Sequence, residues 1–172
     1  MAQRADTFDL GRLSLSSGEA RSVHLTVPVD PLAFGGETYT VGGGEVEARL
    51  DVSRTTGAGY ALRLRFDLSL SGPCMRCLGD AGAPVGVDLR EVHQLADDDE
   101  DLTSEYLEKN ELDLRAWVRD ALVLALPVQI VCGEECRGLC AICGADLNEA
   151  PSHEHEREPD PRWAKLSELK LE

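Results

Sequence analysis

Two stretches of the chain alternate strictly between apolar and polar positions. In 45–52, Val46, Ala48, Leu50 and Val52 are interleaved with Glu45, Glu47, Arg49 and Asp51. In 60–70, Tyr60, Leu62, Leu64, Phe66, Leu68 and Leu70 are interleaved with small or charged residues. A period of two places each set on its own face of a strand, so both stretches predict strands with one buried face. Thr55-Thr56-Gly57-Ala58-Gly59 between them predicts a hairpin loop. Ser22 to Val29 alternates in the same way up to Pro28, which cannot donate to a ladder and so ends the strand or holds an edge. Residues 6–30 therefore predict one or two strands. Residues 31–44, with Pro31, Gly35, Gly36 and Gly42-Gly43-Gly44, predict a loop with little structure of its own. Val85, Val87 and Leu89 mark a further strand, running back antiparallel to 60–70.

The period then changes. From Asp113 to Leu126, Leu114, Val118, Ala121, Leu122 and Ala125 recur at helical spacing, and Trp117, Val123 and Leu124 widen the apolar surface. Asp113 is placed to cap this helix and Pro127 to stop it. Before it, residues 91–108 carry Glu91, the run Asp97–Asp101, Glu105 and Glu108 without a lysine or arginine, a pattern that predicts a mobile linker. Near the C-terminus, Asp160-Pro161 is a helix-start signal, with Trp163, Leu166 and Leu169 as the apolar side of a short helix. The expected fold class is α+β: a mostly antiparallel sheet, open or curled into a partial barrel, with one long helix packed on it. The expected division is a β-rich core over 1–131 and a cysteine-rich segment with a short helix over 132–172.

Composition narrows the possible partners. The chain has 172 residues, 42% hydrophobic, with a formal net charge of −15. Nucleic-acid affinity rests largely on lysine and arginine neutralising phosphates, so this balance argues against a broad RNA-binding surface and favours a basic partner or none. Arg49, Arg63 and Arg65, with Arg54 near the turn, are either a local basic patch or a solvated sheet face interspersed with Glu47, Asp51 and Asp67. No apolar run approaches a membrane span, and the first residues lack the apolar core of a secretion signal. A cytoplasmic protein is expected, in which thiols stay reduced and clustered cysteines read as metal ligands.

Four of the six cysteines fall within 132–143, spaced Cys132-x3-Cys136-x3-Cys140-x2-Cys143, and Gly144 follows where a tight turn needs it. Upstream, Cys74-Met75-Arg76-Cys77 is led in by Gly72-Pro73 and lies between two predicted strands, at the tip of a hairpin. Ligand pairs from two places are what closes a metal site. With His153 and His155 the chain offers eight donors, enough for two tetrahedral ions. One partition joins Cys74 and Cys77 to Cys132 and Cys136, leaving Cys140 and Cys143 to His153 and His155. A second joins Cys74 and Cys77 to Cys140 and Cys143. A third closes one compact site from the downstream four. Zinc, as one or two ions, is the metal that thiolate and imidazole in a closed tetrahedron suit, and a fully ligated ion leaves no position for hydrolytic water. Ferredoxin spacings are absent.

These residues also carry a resemblance. A hairpin ending C-x-R-C-L at Cys74–Leu78 and an acidic spacer are followed by D-L-R-x-W-V-R-D-A-L-x-L-A-L-P-V from Asp113. C-x3-C-R-G-L-C-x-x-C-G-A-D-L-N comes next, from Cys132, and then D-P-R-W at Asp160–Trp163. Together these motifs resemble the YceD-like proteins, a bacterial family named for large ribosomal RNA subunit accumulation. The extra G-L-C-x-x-C-G-x-x-L-N segment is similar to that of the Gram-positive and plastid form. Members of that form often carry Cys-x-Cys after the Asn, where this chain has His153 and His155. The resemblance implies a role in synthesis, processing or stability of large-subunit (23S) ribosomal RNA, with no known catalytic activity. The residues agree, since no Ser/His/Asp set, phosphate-binding glycine loop or spaced carboxylate pair is evident. The expectation is a non-catalytic assembly factor, not an enzyme. It would act through a basic ribosomal protein or precursor particle, or through a local RNA contact near Arg76, Arg137, Arg162 and Lys165. The alternatives are a thiol redox protein using a C-x2-C pair and a zinc-ribbon regulator of transcription.

Overall fold

The structure, a computed structural model, describes residues 3–56, 59–94 and 102–155. Its centre is an antiparallel group formed by β3 (Ala20–Pro28), β6 (Glu45–Arg54), β7 (Tyr60–Pro73) and β8 (Asp80–His93). The alternation predicts this correctly. Leu50 and Val52 on β6 and Leu62 and Leu64 on β7 are buried, and their odd-numbered neighbours face outward. β7 has 14 residues and serves two neighbours along one edge. β6 takes its first half, with Leu50 opposite Leu64, and β5 (Glu37–Val41) pairs further on, with Val41 opposite Leu70. Its other edge pairs with β8 along the whole length, from Tyr60 opposite His93 to Pro73 opposite Asp80. β1 (Gln3–Arg4) adds to β3 in parallel. The run of pairings does not return on itself, so the sheet is open and forms no closed barrel.

Residues 31–44, expected to be a loop, instead form a hairpin of β4 (Leu32–Phe34) and β5. Gly35 and Gly36 both take positive φ, +64° and +85°, the two-residue turn that matches strand twist. Leu32, Tyr39 and Val41 are buried, and the Phe34 and Tyr39 rings stack at 4.2 Å. The glycines that looked like a loop are the turn itself, flanked by strands too short to show a period. The acidic stretch 91–108 is also more ordered than expected in its described part. Ser104 and Leu107 are buried, the Ser104 amide donates to His93 Nδ1, and β9 (Leu107–Glu108) pairs with β10 (Glu111–Asp113), which pairs with β2 (Thr7–Asp9). Leu107 in the core and Tyr106 packed against it anchor this part of the stretch despite the surrounding charge. The aspartate run itself and the expected helix at 160–169 lie outside the described residues, as do two positions of the 55–59 loop.

The helix α1 (Leu114–Leu124) starts as predicted, with the Asp113 carboxylate accepting from the Ala116 amide. Leu114, Trp117, Val118, Ala121 and Leu122 are buried against the strands, and Trp117 stacks near Tyr106. Val123 and Leu124 do not join them: they face solvent. A turn of 3.6 residues carries those positions off the stripe set by Leu114, Val118 and Leu122. No described helix is long and apolar enough to cross a membrane.

The outer face of the sheet is a solvated ion-pair network. Asp51 accepts from Ser22, Arg49 and Arg65, and Arg63 clasps Asp88 through two bonds. Partial burial opposes ionisation of Asp51, but the bonds from Ser22, Arg49 and Arg65 outweigh it and hold its pKa at about 2. A folded-state value below the unfolded one stabilises the fold above the unfolded pKa. That contribution is lost as the pH falls from about 4 towards 2. Asp51→Asn should therefore lower the urea midpoint near neutral pH, and the gap to wild type should close across that acid range. A gap independent of pH would show that the carboxylate's charge is not what Arg49 and Arg65 hold.

Candidate metal centre

The strands β7 and β8 bring Cys74 and Cys77 to their shared tip. Cys74 donates its amide to Gly79 O (2.6 Å), Leu78 donates to Cys74 O (2.9 Å), and Leu78 takes a φ of +61° to close the turn. On leaving α1 the chain passes this tip directly. The Met75 amide donates to Ile130 O, and the Ile130 amide reaches Met75 Sδ at 3.3 Å. Two residues later Cys132 arrives, and Cys136 follows, its amide turned back to Gly133 O. Cys77 Sγ lies 3.6 Å from Cys132 Sγ, and Cys74 Sγ lies 3.8 Å from Cys136 Sγ. All four sulfurs fall within 4.8 Å of one another.

The second cluster is built by the next turn. The Cys140 amide donates to Ala145 O, the Gly144 amide to Cys140 O, and Gly144 has a φ of +74°, the conformation its place after Cys143 foretold. Leu139 bridges Asp146 across this ribbon. Cys143 Sγ is 3.0 Å from His153 Nε2, Cys140 Sγ is 3.2 Å from His155 Nε2, and the two Nε2 atoms are 2.8 Å apart. Of the three partitions open in the sequence, the structure assembles the first. The four-cysteine ribbon joining 74/77 to 140/143 does not form.

Four sulfurs this close cannot ionise independently. Burial opposes ionisation of Cys74, but backbone amides of Cys77, Arg76 and Cys132 outweigh it and bring the thiol down to about 6. Cys132, beside the Cys136 and Cys77 sulfurs and partly desolvated, is pushed up to about 12. A divalent cation among the sulfurs removes that repulsion and lets all four serve as thiolates. In the second cluster the Cys143 and Ile142 amides lower the Cys140 thiol. Both clusters can hold a metal ion.

The arginines expected to meet a partner are placed differently from one another. Arg76 turns inward: its guanidinium donates to Gln129 Oε1, Glu134 O and Cys136 O, strapping the hairpin tip to the 129–136 segment. Arg137 sends Nη1 to Pro151 O. Arg162 and Lys165 lie outside the described residues. Residues not singled out from the sequence complete the frame. Asn148 accepts from the Arg137 amide and places Nδ2 3.7 Å from Cys136 Sγ. Gly138, at φ +73°, passes so close to the hairpin tip that a Cβ would sit 2.9 Å from Arg76 O. Both lie inside the cysteine motif, which was the available signal.

The sequence profile described as large ribosomal RNA subunit accumulation protein YceD matches residues 62–170, a span that includes both clusters and α1. An uncharacterized protein of Mycobacterium tuberculosis is 34% identical over 171 residues, covering 95% of this chain and 80% of that relative. The uncharacterized protein YlbN of Bacillus subtilis is 29% identical over 114 residues, 62% of this chain and 66% of its own. A chloroplastic large ribosomal RNA subunit accumulation protein YCED homolog of Arabidopsis thaliana is 30% identical over 63 residues, 37% of this chain and 20% of its own. No solved structure matches.

Proposed function

This chain belongs to the YceD family, and from that premise we propose that it is a zinc-stabilised, non-catalytic factor of large-subunit assembly that supports the synthesis, processing or stability of 23S ribosomal RNA. The observation that carries the reading is the family match across both metal clusters, together with the name of the chloroplastic relatives, which speaks of large ribosomal RNA subunit accumulation. The donor sets support zinc, because sulfur and imidazole closing around an ion with no open position is the arrangement of structural zinc. They also support the absence of catalysis, since the eight donors are spent on holding a fold. Residues 132–155 are then a zinc-built extension of the β-rich core, docked on the β7–β8 tip. At the first cluster the redox alternative lacks an accessible thiolate, since Cys74, the thiol brought down to about 6, is fully buried.

Two measurements test this reading. Metal analysis of the purified protein should return two zinc ions per chain, falling to one in a His153→Ala/His155→Ala variant. A variant that keeps both ions removes the histidines as ligands. Depletion of the protein in its host should lower the 23S-to-16S rRNA ratio and leave large-subunit precursors on sucrose gradients. An unchanged ratio and gradient would sink the functional reading.

A further inference from the structure

Among the described residues eight large apolar side chains are exposed, and they are not scattered. Six of them, Met75, Leu78, Val123, Leu124, Val128 and Ile142, lie on the hairpin tip and on the chain that runs from the end of α1 through the cysteines. Leu124 is 79% exposed and Val128 97%. The structure joins these segments: Met75 bonds Ile130 in both directions, the sulfurs of Cys77 and Cys132 meet, and the Leu139 amide donates to Arg76 O. Beside Leu124 a shallow groove of about 240 Å³ opens between α1 and β8, floored by Gly86, Val87 and Leu89. Apolar side chains gathered on one end of a protein mark a surface that something covers.

The charge at the same end says what kind of partner fits. The two described arginines there turn back on the chain: Arg76 donates to Gln129 and to the carbonyls of Glu134 and Cys136, and Arg137 sends Nη1 to Pro151 O. Glu134, Glu135, Glu149 and Glu154 are exposed, and no described cation pairs with them. An apolar surface bordered by unpaired carboxylates repels a phosphate backbone and attracts lysine and arginine. From this we infer that the end of the molecule formed by the α1 terminus and the first metal cluster is a docking surface for a basic polypeptide segment. Apolar anchors of that segment would seat beside Leu124 and Val128, with its cations over Glu134 and Glu135. The inference rests on the assembly-factor reading and deepens it: the contact with the particle is made through a basic protein, not through RNA.

The test uses the full-length, zinc-loaded protein. Purified large-subunit ribosomal proteins are offered to it one at a time by interferometry, and transcripts of 23S rRNA in parallel. At least one ribosomal protein should bind, more weakly as salt rises. Leu124→Lys/Val128→Lys should weaken it at least tenfold, and Glu134→Lys/Glu135→Lys should do the same. Leu124→Met/Val128→Ile should leave it unchanged. The replaced side chains are largely in solvent, so an unaltered thermal melt and zinc content will separate lost docking from lost folding. Binding to none of the ribosomal proteins, binding undiminished by the lysine pairs, or transcript binding that the lysine pairs strengthen would each overturn the inference. Complementation separates it from the reading beneath it. If depletion leaves the 23S-to-16S ratio unchanged, the assembly role fails. If depletion lowers the ratio and the Leu124→Lys/Val128→Lys protein restores it fully, only the docking surface fails.

Discussion

Replacing Cys136 by alanine is expected to release residues 132–155 from the rest of the protein while the sheet stays folded. Between residues 131 and 155 only Cys136 and Gly138 are buried, so the segment has almost no apolar surface with which to hold itself in place. Its other bonds are a few turn contacts, one isolated bridge, the Leu139 amide to Arg76 O, the bonds of Asn148 and the straps from Arg76 and Arg137. Structural zinc in small motifs supplies roughly 10–16 kcal/mol of apparent binding free energy, far more than those contacts. Cys136 also meets Cys74, which is buried at the hairpin tip, so its loss uncouples the segment from the sheet at the point of attachment. Hydrogen exchange should show amides of 132–148 becoming unprotected while β3, β6 and β7 keep their protection. The metal content should drop by at least one ion. Chelation of the wild type should reproduce the same pattern. Retained protection in 132–148 after either treatment would mean that the segment is ordered by something other than the metal.

The second large effect lies in the core. Trp117 is 1% exposed, sits midway along α1 and packs beside Tyr106, whose hydroxyl donates to Asp120. The helix covers the sheet through Trp117, Val118, Ala121 and Leu122, and Trp117 is the largest of these. Trp117→Ala should destabilise the fold by about 3–5 kcal/mol, because the neighbouring strands cannot close over the space it leaves. For a protein of this size that is a fall in Tm of roughly 6–20 °C. Metal content should be unchanged, since all eight donors lie outside α1, on the β7–β8 tip and in residues 132–155. A fall of only a degree or two would mean that α1 is not the main cover of the sheet.

These two sites are held by different physics, and the sequence reveals them to different degrees. The strands β6, β7 and β8 and the helix α1 are legible residue by residue. Each has one wet face and one dry face, and the period of that alternation is a local property of the chain. The capping role of Asp113 and the turn at Gly144 are legible for the same reason. The eight donors are legible as a set, because thiols and imidazoles at these spacings can converge on shared ions. The β4–β5 hairpin was hidden by its own brevity: Gly35-Gly36 announces a break, and three residues of strand on one side are too few to announce a ladder.

How the donors divide was not in the sequence. Three partitions satisfy the spacings, and the choice among them depends on where the chain leaving α1 passes the β7–β8 tip, a contact across more than fifty positions set by the packing of the helix on the sheet. The same holds for Arg76, which reads as a free cation in a knuckle and is in fact a strap across it. It holds too for Val123 and Leu124, which read as core and stand in solvent. Periodicity and spacing report what each residue can do with its neighbours along the chain. Which sulfur meets which, and which apolar side chain is left uncovered, is decided only when distant elements are brought together, because burial and ligation are properties of the packed whole.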